Sequence, residues 1–187
     1  MFRLLSYIPR LAYCARGMIV RGMIILAGGQ CGGGLRVERG LRIRQGFHPG
    51  LSLGDNVYVG RNVTIDCVRG ARLTIGDNAT LTEAIFISCC LEVTIGDDVL
   101  IGEFCSIRDA NHDISDITLP IVCQAMVPKA VGIASNVWVG RGCAILAGAT
   151  IAEGAVIGAN SVVLRDVPQN VVAAGAPTRI IRNRVTT

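Results

Sequence analysis

Residues 133–163 read IASNVWVGRGCAILAGATIAEGAVIGANSVV, and an aliphatic residue returns at every sixth position of this stretch. The same spacing extends back to residue 53 in shorter blocks that are separated by small insertions. All fifteen positions in this register are Leu, Ile or Val: Leu53, Val59, Ile65, Ile75, Leu81, Ile87, Ile95, Ile101, Ile107, Ile133, Val139, Ile145, Ile151, Ile157 and Val163. A fixed short period is the sequence signature of a repeat architecture.

Six residues suffice for one short strand and one turn, so three such units close a triangular coil of about eighteen residues. Stacked coils pair through their strands and place the aliphatic side chains in a narrow interior. We therefore predict an all-β, parallel β-helix with five regular coils: 53–72, 75–94, 95–112, 133–150 and 151–168. Cys105 and Cys143 fall on small interior positions of this repeat, which makes them poor candidates for chemistry.

The composition of the 187 residues agrees with a narrow aliphatic core, because 51% are hydrophobic and only 4% are aromatic. A high apolar fraction with a net charge of +4 excludes a disordered chain. The eight cysteines show neither a CxxC pair nor zinc-ligand spacing, so we expect reduced thiols and no metal. We also expect no nucleic-acid partner.

The first fifty residues are strongly basic, with eight arginines against the single acid Glu38, a net of +7. We take residues 1–50 as a basic apolar N-terminal segment with an irregular first coil around Val37 and Ile43, residues 51–170 as the β-helix, and residues 171–187 as a C-terminal cap. Two interpretations of the start remain open. One is a terminal helix that packs on its own chain or on a neighbouring subunit. The other is a surface helix on a membrane, with the arginines outward and these side chains inward: Phe2, Leu4, Leu5, Ile8 and Leu11.

The apolar stretches near the start are interrupted by arginines and are too short to span a bilayer. They also lack the form of a secretory signal. We therefore expect a cytoplasmic protein, located at the inner face of the cell membrane if the second interpretation holds.

The repeat breaks once, at residues 113–132, which read DISDITLPIVCQAMVPKAVG and have no six-residue register. A long irregular segment inside a compact repeat is usually functional. The segment follows His112 directly, and the only other histidine, His48, lies in a turn-like stretch that we interpret as structural. His112 is therefore the candidate for acid–base chemistry. Two histidines cannot supply a three-histidine zinc centre, and neither GxGxxG nor GxSxG occurs.

Four stretches, DANH at 109–112, SNVWVG at 135–140, GANSVVLRDVP at 158–168 and VVAAGAPTRIIR at 171–182, resemble the hexapeptide acyltransferases of the maltose, galactoside and xenobiotic acetyltransferase superfamily. The short basic start followed by coils resembles the acetyltransferases of surface-polysaccharide biosynthesis. The resemblance implies a left-handed β-helix, a homotrimer, and acetyl-CoA bound in the cleft between neighbouring prisms. It further implies transfer of an acetyl group to a sugar hydroxyl in a polysaccharide or its precursor.

The resemblance also implies roles for individual residues. His112 is the general base, and Ser88, Asp109 and Asn111 belong to the acceptor side. The expected acetyl-CoA residues are Met126, Trp138, Arg141, Ala159, Leu164, Arg165, Arg179 and Arg182. Arg141, Leu164 and the segment around Cys89 and Cys90 depart from the sugar-enzyme pattern, which leaves the acceptor open. Because Trp138 follows an interior position, its side chain is expected to point outward.

Three other functions remain alternatives to this interpretation. An N-acyltransferase acting on an amino sugar or xenobiotic would share every acetyl-CoA feature. A serine O-acetyltransferase would share them too, although the long N-terminal domain of those enzymes is absent. A non-catalytic β-helix scaffold would bind no acetyl-CoA at all.

Overall fold

The computed structural model describes residues 7–184, which form one helix and a stack of short parallel strands. The helix α1 spans Tyr7–Leu26. Within the described range, no helix is both long and apolar enough to cross a membrane. Phe2, Leu4 and Leu5, which the membrane interpretation invokes, lie outside the described residues.

Three parallel sheets form the sides of a triangular prism. Sheet A contains β1 (Gln30–Cys31), β4 (Leu51–Leu53), β7 (Arg72–Ile75), β10 (Glu92–Ile95), β15 (Val131–Ile133) and β18 (Thr150–Ile151). Sheet B contains β2 (Arg36–Val37), β5 (Tyr58–Val59), β8 (Thr80–Leu81), β11 (Leu100–Ile101), β16 (Trp138–Val139), β19 (Val156–Ile157), β21 (Val171–Ala174) and β22 (Arg179–Asn183). Sheet C contains β3 (Arg42–Ile43), β6 (Thr64–Cys67), β9 (Phe86–Cys89), β12 (Ser106–Arg108), β17 (Ala144–Ile145) and β20 (Val162–Val163).

The strand register follows the six-residue period. Ile95 pairs with Ile133 across the break in the repeat, so the coil after the break stacks directly on the coil before it. All fifteen aliphatic positions of the register are buried, as are Cys105 and Cys143. The predicted β-helix and its aliphatic interior are therefore confirmed.

The prism contains one more regular coil than predicted. Strands β1, β2 and β3 pair in parallel with β4, β5 and β6, and Cys31 and Val37 occupy the interior positions. The expectation of an irregular first coil is wrong, because Cys31 serves where later coils carry an aliphatic residue. Burial raises the pKa of the Cys31 thiol, as expected for a small apolar side chain of the core.

Hydrogen bonds between corner residues tie successive coils together. At the corner between sheets A and B, the Asp55 N–H donates to Asp77 Oδ1 at 2.7 Å, and the Asp77 N–H donates to Asp97 Oδ1 at 2.8 Å. The residue after Asp55 or Asp77 is an asparagine with positive φ, 57° at Asn56 and 56° at Asn78. Asparagine tolerates this left-handed conformation, which explains why the sequence Gly-Asp-Asn recurs at these corners.

The two ends of the prism are closed differently. At the N-terminal end, α1 contacts β1 and β2, and Ile24 of the helix is buried in the core. At the C-terminal end, β21 continues sheet B in parallel and β22 folds back on it as an antiparallel strand.

Candidate active site

The break in the repeat is an antiparallel hairpin that leaves the corner between sheets C and A. Its strands are β13 (Ala110–His112) and β14 (Met126–Pro128), and its tip includes a 3-10 helix, η1 (Ile121–Cys123). The Lys129 N–H donates to the carbonyl oxygen of Asp109 at 2.6 Å, which closes the base of the hairpin. The chain thus leaves the prism at Asp109, three residues before the predicted point, and His112 already lies on the projecting hairpin.

The Asp109 side chain anchors this hairpin to the coil below. Its carboxylate is fully buried and accepts hydrogen bonds from the backbone N–H groups of Cys90, Leu91 and Glu92, at 2.7, 2.7 and 2.8 Å. Charge-assisted bonds of this kind are among the strong ones in proteins. With these contacts made, Asp109 has no carboxylate surface left for an acceptor, and it acts instead by holding the base of the hairpin.

His112 is exposed at the end of β13, directly opposite Met126 on β14. Within residues 7–184, no protein group hydrogen-bonds its imidazole. The hairpin fixes its backbone while both ring nitrogens remain available to a reactant. The expected general base and the expected cleft methionine therefore lie side by side.

The other two acceptor-side candidates lie near His112 but in different environments. Asn111 is exposed on β13 opposite Val127. Ser88 lies on the outer face of sheet C, in register with Arg108 of the next coil. The Arg108 guanidinium lies 5.0 Å from the Phe86 ring centroid and covers this face beside Ser88.

A second group of predicted residues lies at the corner between sheets B and C. Trp138 on β16 is about half exposed, so its predicted outward orientation is confirmed. Arg141 and Ala159 follow in the turns of two successive coils, and both are exposed. The Arg141 guanidinium is held within its own chain, 3.2 Å from Glu103 Oε1 and 5.7 Å from the Phe104 ring centroid.

Phe104 is a feature of this corner that sequence reasoning missed. It adopts a φ of 62°, a left-handed conformation that most other corners give to asparagine or glycine and two give to Ala84 and Asp98, and its ring is exposed. An aromatic residue at such a position is uncommon and costs conformational energy. The sequence does indicate this feature, because Gly102-Glu103-Phe104 places a Phe at a corner position where most coils carry Asn or Gly.

The last predicted group lies at the C-terminal end. Leu164, Arg165 and Arg179 line a cavity of about 230 Å³ together with Pro177 and Thr178. Arg182 lies on β22 opposite Val172 and is exposed, but it does not line this cavity. Two arginines against one acid, Asp166, give the lining of this cavity a net positive charge, which suits a phosphate.

One chain does not bring all of these residues together. His112 and Met126 lie beyond the corner between sheets C and A, whereas Trp138, Arg141 and Ala159 lie at or before the corner between sheets B and C. The whole width of sheet C separates the two groups. A site that uses both needs a second copy of the chain.

The remaining histidine and the five buried cysteines belong to the interior of the prism, whereas Cys14 and Cys123 are exposed. His48 is buried, its Nε2 lies 2.9 Å from the carbonyl oxygen of Cys67, and its Nδ1 accepts from the Gly50 N–H at 3.2 Å. All eight cysteines are free thiols. Within the described residues, no group of three His, Cys, Asp or Glu side chains could hold a metal ion.

Comparisons with known proteins agree with this fold. Residues 130–165 match the family described as bacterial transferase hexapeptide (six repeats). The chain is 32% identical to a putative lipopolysaccharide biosynthesis O-acetyl transferase of Escherichia coli, over 71% of this chain and 71% of that protein. It is 34% identical to a probable acetyltransferase of Mycobacterium tuberculosis, over 89% of this chain but 52% of that protein.

The solved structures include a hexapeptide-repeat acetyltransferase of Vibrio cholerae in complex with acetyl-coenzyme A. It is 31% identical, with a TM-score of 0.66 and coverage of 73% of this chain and 72% of that one. The chain belongs to the hexapeptide-repeat acetyltransferase family. It spans only about half the length of the Mycobacterium tuberculosis relative.

Proposed function

We propose that this chain transfers an acetyl group from acetyl-CoA to a hydroxyl of a sugar in a polysaccharide or its precursor. The observation that carries the proposal is His112, an exposed imidazole on a hairpin whose base is anchored by the buried Asp109 carboxylate. Such an anchor holds the base at a defined position above the prism, as general base catalysis requires.

In the proposed reaction, a ring nitrogen of His112 accepts the proton of the acceptor hydroxyl while the hydroxyl oxygen attacks the thioester carbonyl. The carbon–sulfur bond then breaks, coenzyme A leaves, and the proton on His112 passes to the leaving thiolate. Backbone N–H groups beside the cleft stabilise the oxyanion that forms between these steps. No covalent intermediate on the enzyme is needed.

The exposed corner and the C-terminal cavity support an extended site for acetyl-CoA. The Trp138 indole offers an apolar face to the pantetheine arm, with Arg141 and Ala159 in the adjoining turns. Arg165 and Arg179 offer positive charge to the phosphates of the nucleotide, beside Leu164. Arg182 on β22 extends the basic surface at the same end of the prism.

The proposed assembly is a homotrimer in which His112 of one chain faces the corner of its neighbour that carries Trp138. The separation of the two groups within one chain supports this arrangement. The hairpin tip supports it too, because its apolar side chains are exposed and would be covered by a neighbour: Ile114, Ile117, Leu119, Ile121 and Val122.

The proposed place of action is the cytoplasmic face of the cell membrane, with peripheral contact through the basic N-terminus. This location brings the enzyme to acceptors that are built on membrane lipids. The excess of arginine in the first fifty residues supports the contact.

The experiment that tests the reaction measures release of the coenzyme A thiol with hydroxyl and amino sugars as acceptors. We expect His112→Ala and His112→Gln to lower turnover about 100-fold or more with the best hydroxyl acceptor, while thermal unfolding stays unchanged. Unchanged turnover in both variants would contradict the role of His112. Preference for an amino sugar would favour the N-acyltransferase alternative, and absence of acetyl-CoA binding in a calorimetric titration would favour a scaffold.

A further inference from the structure

Helix α1 closes the N-terminal end of the prism with one of its faces. Gly17 lies against the carbonyl oxygen of Leu35 so closely that a Cβ at this position would collide with it. Val20 and Ile24 follow at helical spacing and pack into the first coil, with Ile24 buried. The inner face of the helix is therefore specified by close contact with the prism.

The opposite face of α1 is apolar and unpaired within the described structure. Met18 is 68% exposed and Leu26 is 89% exposed, and Leu11 and Ile25 are exposed on the same side. The small residues Cys14, Ala15 and Gly22 lie between them, so the strip carries no charge along the described side chains of the helix. A continuous apolar strip of this kind marks an interaction surface.

Arg16 and Arg21 of α1 point toward the prism instead of covering the outer face. Arg16 Nη1 donates to the carbonyl oxygen of Val37 at 3.1 Å, and Arg21 Nε donates to that of Gly32 at 2.8 Å. An ordinary surface helix shows the reverse arrangement, with its charged side chains in water. Both arginines are thus directed away from the apolar strip, because first-coil carbonyl oxygens accept their N–H groups.

The coil on which α1 packs carries exposed positive charge. Arg36, Arg39 and Arg42 are exposed on this first coil, and so is Arg44, which pairs with Asp66 at 3.0 Å. Glu38 is the only acid of the first fifty residues, and its carboxylate accepts hydrogen bonds from Tyr58 and Arg61. The end of the molecule thus combines an apolar strip with an excess of exposed cations.

We propose that the outer face of α1 docks on the surface of an anionic phospholipid bilayer, with the apolar strip inserted at the headgroup boundary and the first-coil arginines on lipid phosphates. Positive charge around the strip disfavours the alternative of two copies meeting through this face, because their arginines would then oppose each other. This surface gives the peripheral contact of the proposed function a defined location. The docking of one strip is independent of the proposed function. The proposal takes only the trimer from that function, because a threefold assembly presents three strips and so binds the bilayer more strongly.

The test is co-sedimentation of the full chain with vesicles of phosphatidylcholine alone or of phosphatidylcholine mixed with phosphatidylglycerol. We expect binding to the mixed vesicles only, and weaker binding as salt is raised. The double variant Met18→Glu with Ile25→Glu is expected to lower the bound fraction about tenfold or more. Ile181→Glu is the control, since Ile181 is 63% exposed at the opposite end of the prism. This variant should bind vesicles like the parent chain.

Two further measurements separate a failure of membrane docking from a failure of the proposed reaction. The double variant should keep its transfer rate with a soluble acceptor and its oligomeric state by size-exclusion chromatography, whereas His112→Ala should still bind vesicles. Equal binding of the parent chain and the double variant, or no binding to the mixed vesicles, would overturn the proposal. A change of oligomeric state in the double variant would overturn it as well, and would identify the strip as a contact between chains.

Discussion

The interior of the prism and the hairpin that interrupts it use the same residue type in opposite environments. Ile95, Ile107 and Ile133 are buried between the coils, whereas Ile117 at the hairpin tip is 96% exposed. Within the prism, each coil pairs its strands with the next coil and buries its aliphatic side chains against it, so the stack needs no other partner. The hairpin does not, and its apolar side chains remain exposed in the single chain.

This difference explains where a repeat protein can place a reactive group. A side chain in the six-residue register is buried between coils, so a substitution there disturbs the packing of the coils above and below. The hairpin is free of the register and is fixed at its base by one buried carboxylate, Asp109. Substitutions on the hairpin around His112 can therefore change its position and surroundings without destabilising the prism.

The largest expected effect compares an interior isoleucine with a hairpin isoleucine. Ile107→Ala should lower the free energy of unfolding by about 2–5 kcal/mol, because it leaves a cavity between two coils. Ile117→Ala should change it by less than about 0.5 kcal/mol for the isolated chain. Denaturant unfolding measures both, and a loss at Ile117 that depends on protein concentration would indicate its contact in the assembly. Similar losses at both positions, independent of concentration, would contradict the comparison.

The anchor of the hairpin should show the next largest effect. Asp109→Ala leaves three backbone N–H groups without their acceptor, and we expect a loss of about 1–3 kcal/mol in unfolding free energy together with a fall in turnover. For the unfolding free energy, Asn111→Ala is the control, since Asn111 lies on the same hairpin but is exposed. If Asp109→Ala kept full stability and turnover, the anchoring role would be wrong.

The corner between sheets B and C should affect acetyl-CoA more than stability. Trp138→Ala is expected to raise the KM for acetyl-CoA about tenfold with little change in unfolding, because the indole is half exposed. Trp138→Phe keeps an aromatic face and should lose less. An unchanged KM in Trp138→Ala would remove this residue from the proposed site.

The smallest expected effect concerns the link between the first two coils. Hydrogen bonds from Tyr58 and Arg61 lower the pKa of the Glu38 carboxyl, and burial raises the pKa of Tyr58 to about 12. A lowered pKa means that the carboxylate stabilises the fold above its ordinary pKa and that this contribution disappears as pH falls through the lowered value. Glu38→Gln should therefore cost about 0.5–1.5 kcal/mol at neutral pH and nothing at strongly acidic pH. A cost independent of pH would exclude the charge as its cause.

The prism could be predicted from the sequence because its period depends only on local spacing. The first coil was misjudged because Cys31 and a glycine-rich corner replace the usual aliphatic and Asn pattern. The role of Asp109 could not be predicted, since its partners Cys90, Leu91 and Glu92 lie a full coil away in sequence. Nor could the contacts of Arg16 and Arg21 with the first coil be predicted, because their acceptors are backbone carbonyl oxygens that carry no sequence signal.

The most direct test of a site shared between chains mixes two inactive variants. His112→Ala removes the base, and Ala159→Trp is designed to fill the corner that would receive acetyl-CoA. If each site takes His112 from one chain and Ala159 from its neighbour, co-refolded trimers contain intact sites at about one quarter of their interfaces, and turnover returns to about that fraction of the parent value. If both residues served one site within a single chain, the mixture would stay as inactive as its components.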